Sequence, residues 1–205
     1  MMTDAAKGAE GQRIGILGGS FNPAHDGHLH IAQLALERLG LDAVWLMVAL
    51  QNPLKPVAGM ATFDERFASA HSIAAGDPRI SARDVEAHLG TRFTAETLPA
   101  VVEAHSGVRF VWIMGADNLM QMDQWEDWTS IFNTVPIAVF ARPPYDSQVL
   151  ACTVATRFAD CRHDESRGEA LADMGPPAWI YFDTPLNPES ATQIRSRRNR
   201  ETASG

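Results

Sequence analysis

The chain has 205 residues, 17 basic against 25 acidic for a formal charge of −8, and 45% of it is hydrophobic. That length suits one domain, large enough to build a core without disulfide or metal staples, and the acidic balance excludes a general nucleic-acid coat, which needs a broad basic surface. No apolar run reaches the ~18 residues of a membrane span, and the polar stretch 1–12 is unlike a secretion signal, so neither a membrane nor a secreted protein is expected.

In chain order, short apolar runs alternate with longer helical ones. Residues 13–18 (RIGILG) are apolar and end in glycines, as a buried strand does. Over 28–39, Leu29, Ala32, Leu36 and Leu39 recur near helical spacing, and Gly40 stands where a C-terminal cap belongs. The continuous run 43–50 (AVWLMVAL) reads as a strand buried on both faces. Thr62-Phe63-Asp64-Glu65 is a capping-box pattern that predicts a helix to about Gly76. A strand is expected at 79–86 and a helix at 94–104, although Pro99 weakens it. Residues 109–114 (RFVWIM) and 136–141 (PIAVFA) repeat the buried-strand pattern on either side of a polar, Trp-containing helical stretch. The stretch 145–177 fits least well and reads as a peripheral helix and loop. Its cysteines, Cys152 and Cys161, have no CxxC or zinc-site spacing, which favours a reducing, cytoplasmic setting. A last strand is expected at 179–182 and a last helix at 190–198.

This alternation predicts βαβ units: an α/β fold with a single Rossmann-like, doubly wound, mainly parallel sheet and helices on both faces. The domain is expected to span 13–198, with 1–12 and 199–205 as flexible tails. In such sheets ligands bind beyond the carboxyl ends of the strands, where strand order reverses, so the loops after the strands are the places to look for chemistry.

The first of these loops reads Gly18-Gly19-Ser20-Phe21-Asn22-Pro23-Ala24-His25-Asp26-Gly27-His28. Glycines admit close backbone approach, and the helix N-terminus that follows favours an anion. The loop is neither a Walker A sequence nor GxGxxG. Its two histidines, with Gly27 between them to allow a sharp turn, would donate hydrogen bonds to phosphoryl oxygens; the plainer alternative is a pair of ordinary polar loop residues. A zinc site lacks the ligand set. Near the C-terminus Arg195, Arg197, Arg198 and Arg200 make a local cationic spot on an acidic chain, which suits a small anionic ligand better than a polyanion.

GSFNPAHDGH resembles the GxFxPxHxGH signature of the HIGH-type nucleotidyltransferases, in the form carried by bacterial nicotinate-nucleotide adenylyltransferases. Three further segments agree. Gly115-Ala116-Asp117-Asn118-Leu119 is similar to the family's GADxL, Ser190-Ala191-Thr192-Gln193-Ile194-Arg195 resembles its [ST]xxxxR element, and Phe93-Thr94-Ala95-Glu96-Thr97-Leu98 resembles YTxDTL with Phe for Tyr and Glu for Asp. The resemblance spans about residues 13–197, with Glu189 as a departure, since the family has an aliphatic residue there.

The resemblance implies an enzyme of NAD biosynthesis that joins ATP and nicotinate mononucleotide to give deamido-NAD and pyrophosphate by direct in-line attack on the α-phosphate. It assigns catalysis to His28, His25 and Arg195. ATP is expected against Gly18, Gly19, Ser20, Phe21, His25, His28, Gly115, Asp117, Ser190, Thr192 and Arg195. The mononucleotide is expected against Ser20, Lys55, Thr94 and Trp125, with Trp125 stacking on the pyridine; Arg66 and Arg142 also match family basic positions. Mg²⁺ is expected to accompany ATP, with no metal site on the protein, no nucleic-acid or membrane partner, and a homo-oligomer left open. Each residue has a plainer alternative: helix capping for Asp117, core packing for Trp125, a solvated loop for Lys55, a capped surface helix for 190–195. Alternatives for the whole chain are a nicotinamide-mononucleotide or phosphopantetheine adenylyltransferase, a non-catalytic nucleotide-binding regulator, and a dinucleotide-binding redox protein. The last is disfavoured by the missing GxGxxG.

Overall fold

A computed structural model of the chain describes residues 9–51, 59–141 and 148–183. The apolar runs form strands β1 (Arg13–Gly19), β2 (Ala43–Val48), β3 (Ile80–Arg83), β4 (Arg109–Gly115), β5 (Ile137–Phe140), β6 (Arg162–His163) and β7 (Trp179–Phe182). The helices are α1 (Asp26–Arg38), α2 (Phe63–Ala74), α3 (Val85–Leu89), α4 (Thr94–Ala104), α5 (Ala116–Leu119), α6 (Trp128–Thr134) and α7 (Thr153–Arg157). All seven strands are parallel, in the order β3-β2-β1-β4-β5-β7-β6. The chain steps outward from β1 to β3, then returns to β4 on the other side of β1. Strand order therefore reverses between β1 and β4, which makes their carboxyl ends the crevice of a doubly wound sheet.

Period-two alternation along the strands divides the core into two layers. Val111 and Ile113 of β4 face the layer that holds Ala32, Ala35 and Leu36 of α1 with Ala70 and Ala74 of α2. Phe110, Trp112 and Met114 face the layer of Leu98 and Val101 of α4 with Ile131 and Phe132 of α6. Burial on both faces is why these strands are continuously apolar rather than alternating.

Local signals operate as their chemistry dictates. Gly40 takes φ +57 after α1, a left-handed conformation open to glycine at no steric cost. The Thr62 hydroxyl accepts from the Glu65 N–H (3.3 Å) while the Glu65 carboxylate accepts from the Thr62 N–H (2.8 Å), closing the capping box of α2. The helix α4 runs through Pro99, which is exposed.

Two expectations need correction. The strand expected at 79–86 stops at Arg83 and α3 follows it, because Glu86 turns inward, 3% exposed, to accept the Leu50 N–H at 2.8 Å. The described part of the stretch expected as peripheral over 145–177, residues 148–177, reaches the core: Phe158 stacks on Phe132 with ring centroids 4.0 Å apart and accepts at its carbonyl from the Trp179 indole (2.7 Å). Leu171 and Ala172 are buried in the opposite layer, and β6 adds the edge strand beside β7. The helix expected at 190–198 lies outside the described residues.

Candidate active site

The glycine-rich loop leaves β1 at the switch point. Gly18 has no room for a side chain, because an added Cβ would sit 2.1 Å from Cη2 of Trp112. Its glycine therefore answers to core packing first. Ser20 is 7% exposed, and its buried hydroxyl has no hydrogen-bond partner among the described residues. A buried orphan hydroxyl is costly, so one at a cleft edge is a natural place for a ligand atom. Phe21 adopts φ +46, strained for a side-chain-bearing residue, and its ring packs 4.7 Å from that of His28.

His25 and His28 are not ordinary loop residues: together they cap α1. His25 occupies the cap with extended backbone, and its Nδ1 accepts the Gly27 N–H at 3.1 Å. In return Nδ1 of His28 accepts the His25 N–H at 3.3 Å, so two imidazoles form a reciprocal capping box with rings 3.9 Å apart. An Nδ1 that accepts cannot carry the proton, so each neutral ring holds it on Nε2. The cap thus presets the tautomer whose Nε2–H is a donor, beside a helix N-terminus that itself favours an anion. Gly27 makes no sharp turn, contrary to the sequence reading. It is the second residue of α1, and its N–H serves the cap.

The loop is held from α2. The Asn22 side-chain oxygen accepts the Ala61 N–H (3.1 Å), and the Ser69 hydroxyl accepts the Ala24 N–H (3.0 Å). Arg66, 2% exposed, donates from Nη1 to Ser20 O (2.8 Å) and Ala49 O (2.7 Å), from Nη2 to Leu50 O (2.7 Å) and from Nε to Ala61 O (3.2 Å). Burial pushes the nearby Glu86 carboxyl up to about 7, against the Leu50 N–H and Arg66, which both favour its charged form. Arg66, which the sequence shows only as resembling a basic position of the family, lies inside the protein. Glu86 and Ser69 gave no motif in the sequence. The one available signal was the buried stripe of α2, where Arg66 takes a helical-period place with Ala70 and Ala74.

Across the switch point, β4 ends at Gly115 beside β1, with Leu17 level with Ile113. Gly115 is the cap of α5 and makes no side-chain cap bond, while half-buried Asp117 is the second residue of that helix. Asp117 is therefore not the N-cap residue of α5 but an acid in its first turn. Thr94 begins α4, and half-buried Trp125 stands in the turn before α6, which packs on α4. Trp128, half-buried like Trp125, packs against the core, edge-on to Phe158 at 5.9 Å. Lys55, Arg142, Glu189, Ser190, Thr192 and Arg195 lie outside the described residues.

Comparison with known proteins adds independent findings. The family model described as cytidylyltransferase-like matches residues 16–197. A protein of Parvibaculum lavamentivorans named "Probable nicotinate-nucleotide adenylyltransferase" is 49% identical over 187 residues, covering 91% of this chain and 92% of its own. One of the same name from Gluconacetobacter diazotrophicus is 44% identical over 202 residues, covering 98% and 94%. The fold is similar to that of the Plasmodium falciparum nicotinic acid mononucleotide adenylyltransferase solved with NaAD. That match has a TM-score of 0.68 at 16% identity and covers 90% of this chain and 83% of that one.

Proposed function

The chain belongs to the cytidylyltransferase-like family, and within it we propose a nicotinate-nucleotide adenylyltransferase, joining ATP and nicotinate mononucleotide into deamido-NAD and pyrophosphate. The observation that carries this reading is the two-histidine cap of α1 at the end of β1, next to Gly115 and Asp117 at the end of β4. Relatives named for this activity at 43–49% identity over most of the chain support it.

In the proposed reaction a 5′-phosphate oxygen of the mononucleotide attacks the α-phosphorus of ATP as the bond to pyrophosphate breaks in line. A phosphate monoester is already nucleophilic at neutral pH, so the protein need only position the reactants and stabilise charge. The Nε2–H of His28 serves the α-phosphoryl oxygens and that of His25 orients the phosphates. Arg195 and the 190–192 hydroxyls take the departing β,γ-phosphates, Asp117 a ribose, and Trp125 with Thr94 the pyridine. Mg²⁺ supplied with ATP would neutralise phosphate charge at the site and would need no protein cage. Among the described residues no three His, Cys, Asp or Glu side chains cluster as a metal site.

The test is pyrophosphate release from ATP and Mg²⁺ with nicotinate mononucleotide, nicotinamide mononucleotide and phosphopantetheine in parallel. Release with the first is expected to be at least about tenfold faster, a difference of ~1.4 kcal/mol. Silence with all three despite ATP binding would replace the reading with a nucleotide-binding regulator. Trp125→Ala is expected to raise KM for the mononucleotide about tenfold, in line with loss of an aromatic stack of roughly 1.4 kcal/mol, with ATP KM within about twofold. An equal rise for both substrates would make Trp125 a packing residue.

A further inference from the structure

We propose that Arg66 is a positioning residue that locks together the roots of two substrate loops: the loop that carries His25 and His28, and the β2–α2 connection that carries Lys55. The proposal rests on the activity read above and adds a residue to it that touches neither substrate.

The need for such a lock follows from the sheet. Strands β1 and β2 run in register to Gly19 and Val48, and the Ala49 N–H still donates to Gly19 O at 2.9 Å. Beyond that point the two chains part, so Ser20, Ala49 and Leu50 have carbonyls that no ladder satisfies. One guanidinium takes all three, and its Nε takes the carbonyl of Ala61, where the same connection returns to α2. Both ends of the 50–61 connection and the root of the histidine loop are thereby tied to a single planar group. Glu86 holds Leu50 from the other side through its N–H. Among the described residues Arg66 makes no ion pair within 4.0 Å, so its directional contacts go to loop backbone rather than to a carboxylate.

The geometry needs arginine. Four acceptors from three chain segments are met by a rigid fork whose Nε, Nη1 and Nη2 point in fixed in-plane directions. A lysine at position 66 keeps the charge and the buried stem, but its single ammonium cannot span the same acceptors. A displacement of about 1 Å at the root of either loop carries through to the reacting groups, where such errors are expensive in rate.

The experiment compares Arg66→Lys with the wild type by steady-state kinetics and by hydrogen–deuterium exchange of the free protein. The variant is expected to fold, to lose about 10–100-fold in kcat and to raise KM for the mononucleotide at least about fivefold. Peptides covering 18–28 and 44–51 are expected to exchange faster while those of β4 and β5 keep their wild-type rates. Wild-type constants with unchanged exchange, or a uniform acceleration over the whole chain, would overturn the proposal. Should Arg66→Lys not fold, Glu86→Ala is the second variant. It frees the Leu50 N–H and is expected to accelerate exchange at 44–51 and raise the mononucleotide KM at least about threefold; no change in either would overturn the proposal. Exchange reads the lock without turnover, so a wild type inactive with all mononucleotides would sink the assigned activity while leaving the lock to be judged by its own signal.

Discussion

His28→Ala is expected to lower kcat by about 10²–10³, the loss that follows removal of one preorganised donor from a charged transition state, while the dissociation constant for ATP moves by no more than about threefold. The cap of α1 explains why a single ring has this weight. Because Nδ1 of His28 accepts the His25 N–H, the ring is fixed in place and its donor is set on Nε2 before any substrate arrives. No reorganisation is then required at the moment of reaction, which is where electrostatic preorganisation gains over a mobile side chain. The same substitution removes one half of the capping box, so a stability loss of about 1 kcal/mol is expected alongside. Kinetics at saturating ATP and a thermal melt separate the two effects. A variant with wild-type kcat and a lowered Tm would show that His28 caps the helix and does nothing more.

Gly18→Ala is expected to destabilise the fold by about 3 kcal/mol, the upper part of the range for overpacking a core, seen as a fall in Tm of roughly 6–12 °C. A Cβ there would lie 2.1 Å from Cη2 and 2.7 Å from Cζ2 of Trp112, on a ring that is 2% exposed and cannot swing away. Trp112→Phe withdraws those atoms. In the double variant the two substitutions should therefore couple favourably by about 1–2 kcal/mol, as contacting core residues do. A single variant with unchanged Tm and weakened ATP binding would instead return Gly18 to the ligand, as the loop sequence alone suggests.

Much of the fold was legible because its signals are local. Buried parallel strands must be continuously apolar, so RIGILG, AVWLMVAL and RFVWIM marked β1, β2 (which ends at Val48, two residues earlier than the run) and β4, and the Thr62–Glu65 pattern marked the start of α2. The strand-to-helix glycine loop with His25 and His28 likewise placed the candidate site at the end of β1. Short elements escaped, α3 and β6 above all, since five and two residues carry too little periodicity to be told from a loop.

What the sequence by itself determined is the class of the sheet and the chemistry gathered at its carboxyl edge: apolar period and residue type are properties of neighbouring positions along the chain. Only the tertiary structure decided what individual residues in that chemistry are for. It made the two histidines a cap in which backbone N–H groups set both tautomers, gave Gly18 to the Trp112 ring, and put Arg66 inside the protein where two loops diverge. Those roles depend on groups 46 and 94 positions apart in the chain, Ser20 with Arg66 and Gly18 with Trp112. Contacts of that range exist only once the sheet has brought β1 against β2 and β4, and no local pattern encodes them.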